Sequence, residues 1–142
     1  MRFVAKVFAC MAVAAAVAVC QSTTSATSAQ VPAPEIPEDL YQFAFSTVMA
    51  RQIAKRCRSI RFWEYGYYEQ IQVLTSDLEA RGYDASDIHT MAEHLPKKRV
   101  QNDAFDFIRE SGIILDNRAT YCAAGYREIQ KKTQIGRYLI RR

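Results

Sequence analysis

Four cysteines, Cys10, Cys20, Cys57 and Cys122, are the residues of this 142-residue chain with the most reactive side chains. A thiol can attack, bind a metal or pair with another thiol, and compartment and spacing decide which. Cys10 and Cys20 lie in or beside the apolar run VFACMAVAAAVAVC, which reads as an export signal and leaves with it. Cys57 and Cys122 stay. Export implies an oxidising compartment, where two lone cysteines in a small domain pair. Their bridge closes a 66-residue loop, for which the chain-entropy argument gives roughly 4 kcal/mol of stabilisation. A redox-active pair would ask for close spacing and a depressed thiol pKa. These two are far apart in sequence, so the bridge is expected to be structural.

Other reactive types form no constellation. His89 and His94 are five residues apart, which turns them about 140° from each other on a helix; helical zinc pairs use a spacing of four. His89 instead suits an ordinary helical pair with Glu93. No HExxH, GxSxG, phosphate loop or CxxC occurs. The carboxylates Glu64, Glu69, Asp77 and Glu79 are expected on a solvated helix face. Neither a metal site nor a cofactor is therefore expected. Gly136 and Arg137, with Arg127 and Glu128, are the first place to look for a binding surface: the glycine permits close approach and the arginine presents a hydrogen-bonding fork. Helix packing and charge complementarity at a chain end are the competing explanation for the same four residues.

The elements that must position these groups begin after an address. Arg2 and Lys6 precede an uncharged run of 14 residues, followed by the polar QSTTSATSAQ. A spanning helix needs roughly 20 residues, so residues 1–29 read as a signal peptide cleaved after Ala29, with no membrane-spanning segment left after cleavage. The alternatives are a retained anchor or a lipid on Cys20. Residues 30–37, QVPAPEIP, hold three of the four prolines and read as an extended leader. The domain of residues 38–142 follows.

That domain reads as all-α: a single small helical bundle of about five to six helices with one disulfide. Glu38 to about Arg58 forms the first helix, with Leu40, Phe43, Thr47, Ala50, Ala54 and Cys57 sharing a face. Either Ser59 caps a second helix or the first continues through a kink; in both cases the helix reaches Arg81 and stops at Gly82. The third follows Asp84, which with Asp87 resembles a capping box, and reaches Leu95 before Pro96 breaks it. Lys97–Ser111, closed by Gly112, is the fourth. Ile113–Leu115 is expected as a short buried connector, Asp116 or Asn117 caps the fifth helix, and Gln134–Ile140 forms a last short one. No apolar/polar alternation lasts long enough to call for a sheet.

Charge is unevenly laid out. Residues 51–61 carry five bases, including Arg58 and Arg61, and no acid; residues 64–93 carry seven acids and one base; residues 118–142 carry seven bases and one acid. The bridge would draw the two basic segments together. Either they form a shared basic patch for an anionic envelope partner, or the acidic middle helices neutralise them. In FWEYGYY, residues 62–68, two or three aromatics are expected in a core short of leucine and the rest near the surface.

IAKRCRSI (Ile53–Ile60), ARGYDASDI (Ala80–Ile88), YCAAGYREI (Tyr121–Ile129) and QIGRYL (Gln134–Leu139), in that order and spacing, resemble a family of small exported alphaproteobacterial proteins known as domain of unknown function 5333. The resemblance implies a secreted helical protein with Cys57 and Cys122 as its cysteine pair, and it supplies no activity. Helix two, with FWEYGYY, and HTMAEHLPKKR depart from the family pattern. The expectation is a periplasmic or secreted protein that binds or scaffolds an envelope partner, whether a protein, anionic lipid or cell-wall polymer, and not nucleic acid. The alternatives are an envelope enzyme with an acid and an arginine in a helical cleft, or a lipid-anchored peripheral protein.

Overall fold

The computed structural model describes residues 35–142. The export signal with Cys10, Cys20 and Ala29, and the first part of the proline-rich leader, lie outside the described residues.

Helix α1 spans Glu38–Arg56. Pro37 stands at its entry, Glu38 and Asp39 meet the positive end of its dipole, and Lys55 and Arg56 meet the negative end. One stripe is buried, from Leu40 and Tyr41 through Thr47 and Ala50 to Ile53. The helix ends two residues earlier than its charge pattern suggests, because Cys57 turns extended and its N–H donates to the Ile53 carbonyl at 2.8 Å.

The next element corrects the sequence reading. Ser59 opens no helix: Ile60–Phe62 is a short strand, β1, and helix α2 begins only at Glu64 and runs to Ala80. The partner of β1 is β2, Leu139–Arg141, where a last helix over Gln134–Ile140 was expected. In its place a single 3-10 turn, Gly136–Tyr138, leads into β2. The pair is antiparallel, with Ile60 opposite Arg141, Arg61 opposite Ile140 and Phe62 opposite Leu139. Three residues per strand are too few to show alternation, and neither strand has a local partner to announce it.

Gly82 (φ 94°) and Gly112 (φ 63°) take up the left-handed conformations that terminate α2 and α4. Helix α3, Ala85–Glu93, has the expected capping box: Asp84 accepts from the Asp87 N–H at 2.8 Å, and Asp87 accepts from the Asp84 N–H at 3.1 Å. Pro96 stands at the N-terminal boundary of α4, Lys97–Glu110. Helix α5, Arg118–Lys131, is capped by Asn117 through the Ala119 N–H. The connector before it is only partly buried. Ile113 is inside, but Ile114 and Leu115 are 60% and 56% exposed, because Asn117 and Thr120 hold this turn at the surface by hydrogen bonds to its backbone.

The main core gathers Met49, Ala50, Ile53, Cys57, Ile60, Ile135, Tyr138 and Leu139. Beside it Phe43, Phe62, Tyr67 and Tyr138 form a ring cluster with centroid separations of 5.5 to 6.1 Å. These rings fill the volume that six leucines cannot. Phe62 and Tyr67 are thus the inward residues of FWEYGYY, while Trp63, Tyr65 and Tyr68 are exposed. A second cluster of Leu40, Leu78 and Met91 joins α1, α2 and α3. Helix α4 contributes no fully buried residue; Val100, Ala104, Phe107 and Ile108 are half-buried.

Cys57 and Cys122 are bonded, with Cα atoms 5.0 Å apart. The bridge ties the end of α1 to the second turn of α5, and Cys57 is wholly buried. Replacing both cysteines by alanine is expected to lower stability by about 4 kcal/mol and the thermal midpoint on the order of 20 °C, measured by calorimetry against the oxidised chain. A shift within a degree or two would show that the bridge constrains little.

Candidate functional site

The residues singled out in the sequence separate into two groups. Arg127, Glu128 and Gly136 hold the fold together. Arg127 donates to the Ser111 carbonyl and ties α5 to the end of α4. Glu128 accepts from the Thr133 hydroxyl, and that hydroxyl accepts from the Gly136 N–H at 3.0 Å. Gly136 lies against the α5 backbone so closely that a Cβ would fall 2.0 Å from the Glu128 carbonyl oxygen. Arg127 and Arg137 are both exposed, but only Arg137 lines a shallow groove, with Asp39, Asp77, Gln134 and Tyr138.

Arg58 and Arg61 belong to the second group, which collects around Ser59. The Arg142 N–H donates to the Ser59 carbonyl at 3.0 Å, and the Tyr126 hydroxyl donates to Ser59 Oγ at 2.7 Å. The Arg141 guanidinium stands 5.0 Å from the Tyr126 ring centroid. Arg56, Arg58, Ser59, Arg118, Ala119 and Cys122 line one open concavity beside the bridge. Arg61 lies on β1 opposite Ile140. Among the described residues, none of Arg56, Arg58, Arg61, Arg118, Arg141 and Arg142 makes an ion pair.

The ion pairs lie elsewhere: Arg51 with Glu64, Arg81 with Asp39, Arg99 with Glu38 and Asp103, and Arg109 with Asp106. The acidic middle helices therefore neutralise Arg51 but not the rest of its segment. Arg51 also covers the Phe62 ring, 3.9 Å from its centroid, a contact between a cation and an aromatic face. His89 pairs with Glu93 at 3.3 Å, as its spacing suggests, and His94 Nδ1 is 2.7 Å from the Thr90 carbonyl. No group of three or more histidines, cysteines or carboxylates suited to a metal occurs among the described residues.

One polar cluster escapes sequence reading altogether. Tyr41, wholly buried, donates through its hydroxyl to Asp103 at 2.7 Å, across 62 residues. Arg99 stacks 3.7 Å from the Tyr41 ring centroid and donates to Glu38 at 2.6 Å. Glu38, Tyr41 and Arg99 border an open cleft with Arg81, Tyr83 and His94. Burial, then the Asp103 carboxylate, push the Tyr41 phenol up to about 12. The hydrogen bond from Arg99 holds Glu38 below the usual carboxylate range, and Glu38 in turn raises Arg99. Arginine and carboxylates here satisfy each other, which leaves Glu38 ionised rather than poised to give up a proton near neutrality.

The chain belongs to a family of unknown function, DUF5333, which matches its residues 33–140. No curated protein and no solved structure matches it.

Two outcomes check this geometry. Gly136→Ala is expected to cost about 2–3 kcal/mol, because the group it meets is helix backbone that cannot swing aside; a urea midpoint equal to that of the parent would refute it. Tyr41 loses its proton near pH 10 when unfolded but near 12 when folded. Its contribution to stability is therefore whole below about pH 10 and is lost as pH rises through about 12. In an absorbance titration of the eight tyrosines, Tyr41→Phe should remove a phenol from the most alkaline step; an unchanged curve would overturn the assignment.

Proposed function

We propose that this chain is an exported envelope protein that works by binding, presenting a rigid cationic face to an anionic envelope partner. The partner classes are anionic lipid, a cell-wall polymer or the acidic face of another protein. The observation that carries the reading is the concavity lined by Arg56, Arg58 and Arg118, with Arg61, Arg141 and Arg142 in the adjoining segments, none of which makes an ion pair among the described residues. Unpaired like charges gathered at one concavity repel each other, and a partner of opposite sign removes that cost.

The amino-terminal run supports the export half of this reading: two bases, a short apolar segment and small residues before Ala29 suit a cleaved signal. Pairing of Cys57 with Cys122 is in keeping with an oxidising compartment. Among the described residues no helix is long and apolar enough to cross a membrane. An enzyme with an acid and an arginine in a cleft would place them at Glu38, Asp103 and Arg99. There the mutual pairing argues against proton transfer and for a role in holding α4 to α1.

The full chain, oxidised, is sedimented with phosphatidylcholine vesicles doped with phosphatidylglycerol and with purified envelope fractions. Binding is expected and should fall steeply from about 50 to about 500 mM salt, as the screening length shrinks from over 10 Å toward a few Å. Binding that ignores salt, or no binding to either material at low salt, would overturn the reading.

A further inference from the structure

The concavity beside the bridge has a more specific chemistry than a diffuse basic surface. Arg56 and Arg58 flank Cys57 at the end of α1, while Arg118 lies one helical turn before Cys122 in α5. These segments are about sixty residues apart in the chain, yet their three arginines line a single depression with Ser59, Ala119 and Cys122. None of the six lining residues is acidic, and none of the three arginines makes an ion pair among the described residues. The depression also sits at the N-terminal end of a 14-residue helix, whose dipole adds to the positive potential.

We propose that this concavity is a recognition site for a phosphate group, assembled by the Cys57–Cys122 bridge; the proposal rests on the binding function inferred above and gives its anion a class. Three arginines from two chain segments line it. A tetrahedral phosphate offers several oxygens in different directions to guanidinium forks, whereas a carboxylate offers two in one plane. The depression is open, so it suits a phosphate displayed on a larger molecule rather than an enclosed free ion. The bridge is what holds Arg58 and Arg118 in register, with the Cα atoms of its two cysteines 5.0 Å apart. A lipid headgroup and a phosphorylated soluble compound carry the same chemistry, and the experiment separates them.

The full chain, isotopically labelled and oxidised, is titrated with inorganic phosphate and with pyrophosphate while backbone amide shifts are followed. Saturable shifts centred on Arg58, Ser59, Arg118 and Ala119, with an affinity on the order of millimolar or tighter, support the site. Arg58→Gln and Arg118→Gln, both at exposed positions, should each weaken pyrophosphate about tenfold, and Lys98→Gln should leave it unchanged. Equal affinity in all three variants, or shifts scattered over the basic surface, would overturn the proposal. The double substitution of Cys57 and Cys122 by serine should also weaken pyrophosphate; where it fails to fold, the two arginine variants carry the test.

The same variants are then sedimented with the phosphatidylglycerol vesicles. Loss of vesicle binding together with pyrophosphate binding supports a lipid phosphate as the source. Pyrophosphate binding at these residues without vesicle or envelope binding supports a soluble phosphorylated ligand and overturns the envelope reading while leaving the site. Envelope binding by the parent chain with no phosphate shifts at the bridge overturns the site and leaves the envelope reading.

Discussion

The structure depends on one closure: the segment that leaves α1 is fastened to elements from the far half of the chain. Cys57 is bonded to Cys122 on α5, Ile60 to Phe62 pair with Arg141 to Leu139, and the Arg142 N–H reaches the Ser59 carbonyl. All three links fall within six residues of one turn. A domain of this size buries a modest share of its surface, and covalent closure of a long loop adds stability that packing of half-buried faces does not supply. The main core follows from the closure, because Cys57, Ile60, Tyr138 and Leu139 meet there and nowhere else could.

The charged side chains divide as well. Where carboxylates are at hand, arginines are spent on structure: Arg99 fastens α4 to Glu38 and covers Tyr41, Arg81 reaches Asp39 from the end of α2, and Arg51, beside the closure, pairs with Glu64 and shields Phe62. The other arginines near the closure have no carboxylate partner among the described residues, and two of them lie over tyrosine rings. Arg56 and Arg141 lie 5.9 and 5.0 Å from the centroids of Tyr121 and Tyr126. Aromatic faces keep such groups in place without neutralising them, so the charge stays available to solvent and to a partner. Exposed ion pairs elsewhere add little stability individually; their larger effect is to sort which cations remain unmatched.

Most of the helical frame was legible because its signals are local. The Asp84–Asp87 box, the glycines at 82 and 112, the proline at 96 and the three- and four-residue spacing in α1 each act within a few residues. What escaped was set by distant partners. The strand at Ile60–Phe62 exists because Leu139–Arg141 lies beside it, and either tripeptide alone is compatible with helix. Gly136, read as a place for a partner to approach, is where α5 itself approaches. The Tyr41–Asp103 hydrogen bond spans 62 residues and leaves no trace in spacing. Of the site, the two basic runs were visible as charge counts, and the bridge as a pair of cysteines. Which arginines stand unpaired depended on where the acids of α1, α2 and α4 came to rest.

The strand pair also imposes an order of events. Phe62 and its partner Leu139 are 77 residues apart, so β1 is made, and must wait with its hydrogen-bonding edge and its apolar side chains unprotected, until nearly all of the domain has been synthesised. Contacts of such long separation form late and slow folding. A chain built this way cannot complete its main core piecemeal as it emerges from a ribosome; the core is finished only when the last strand has been made, and that closing step is the slow one.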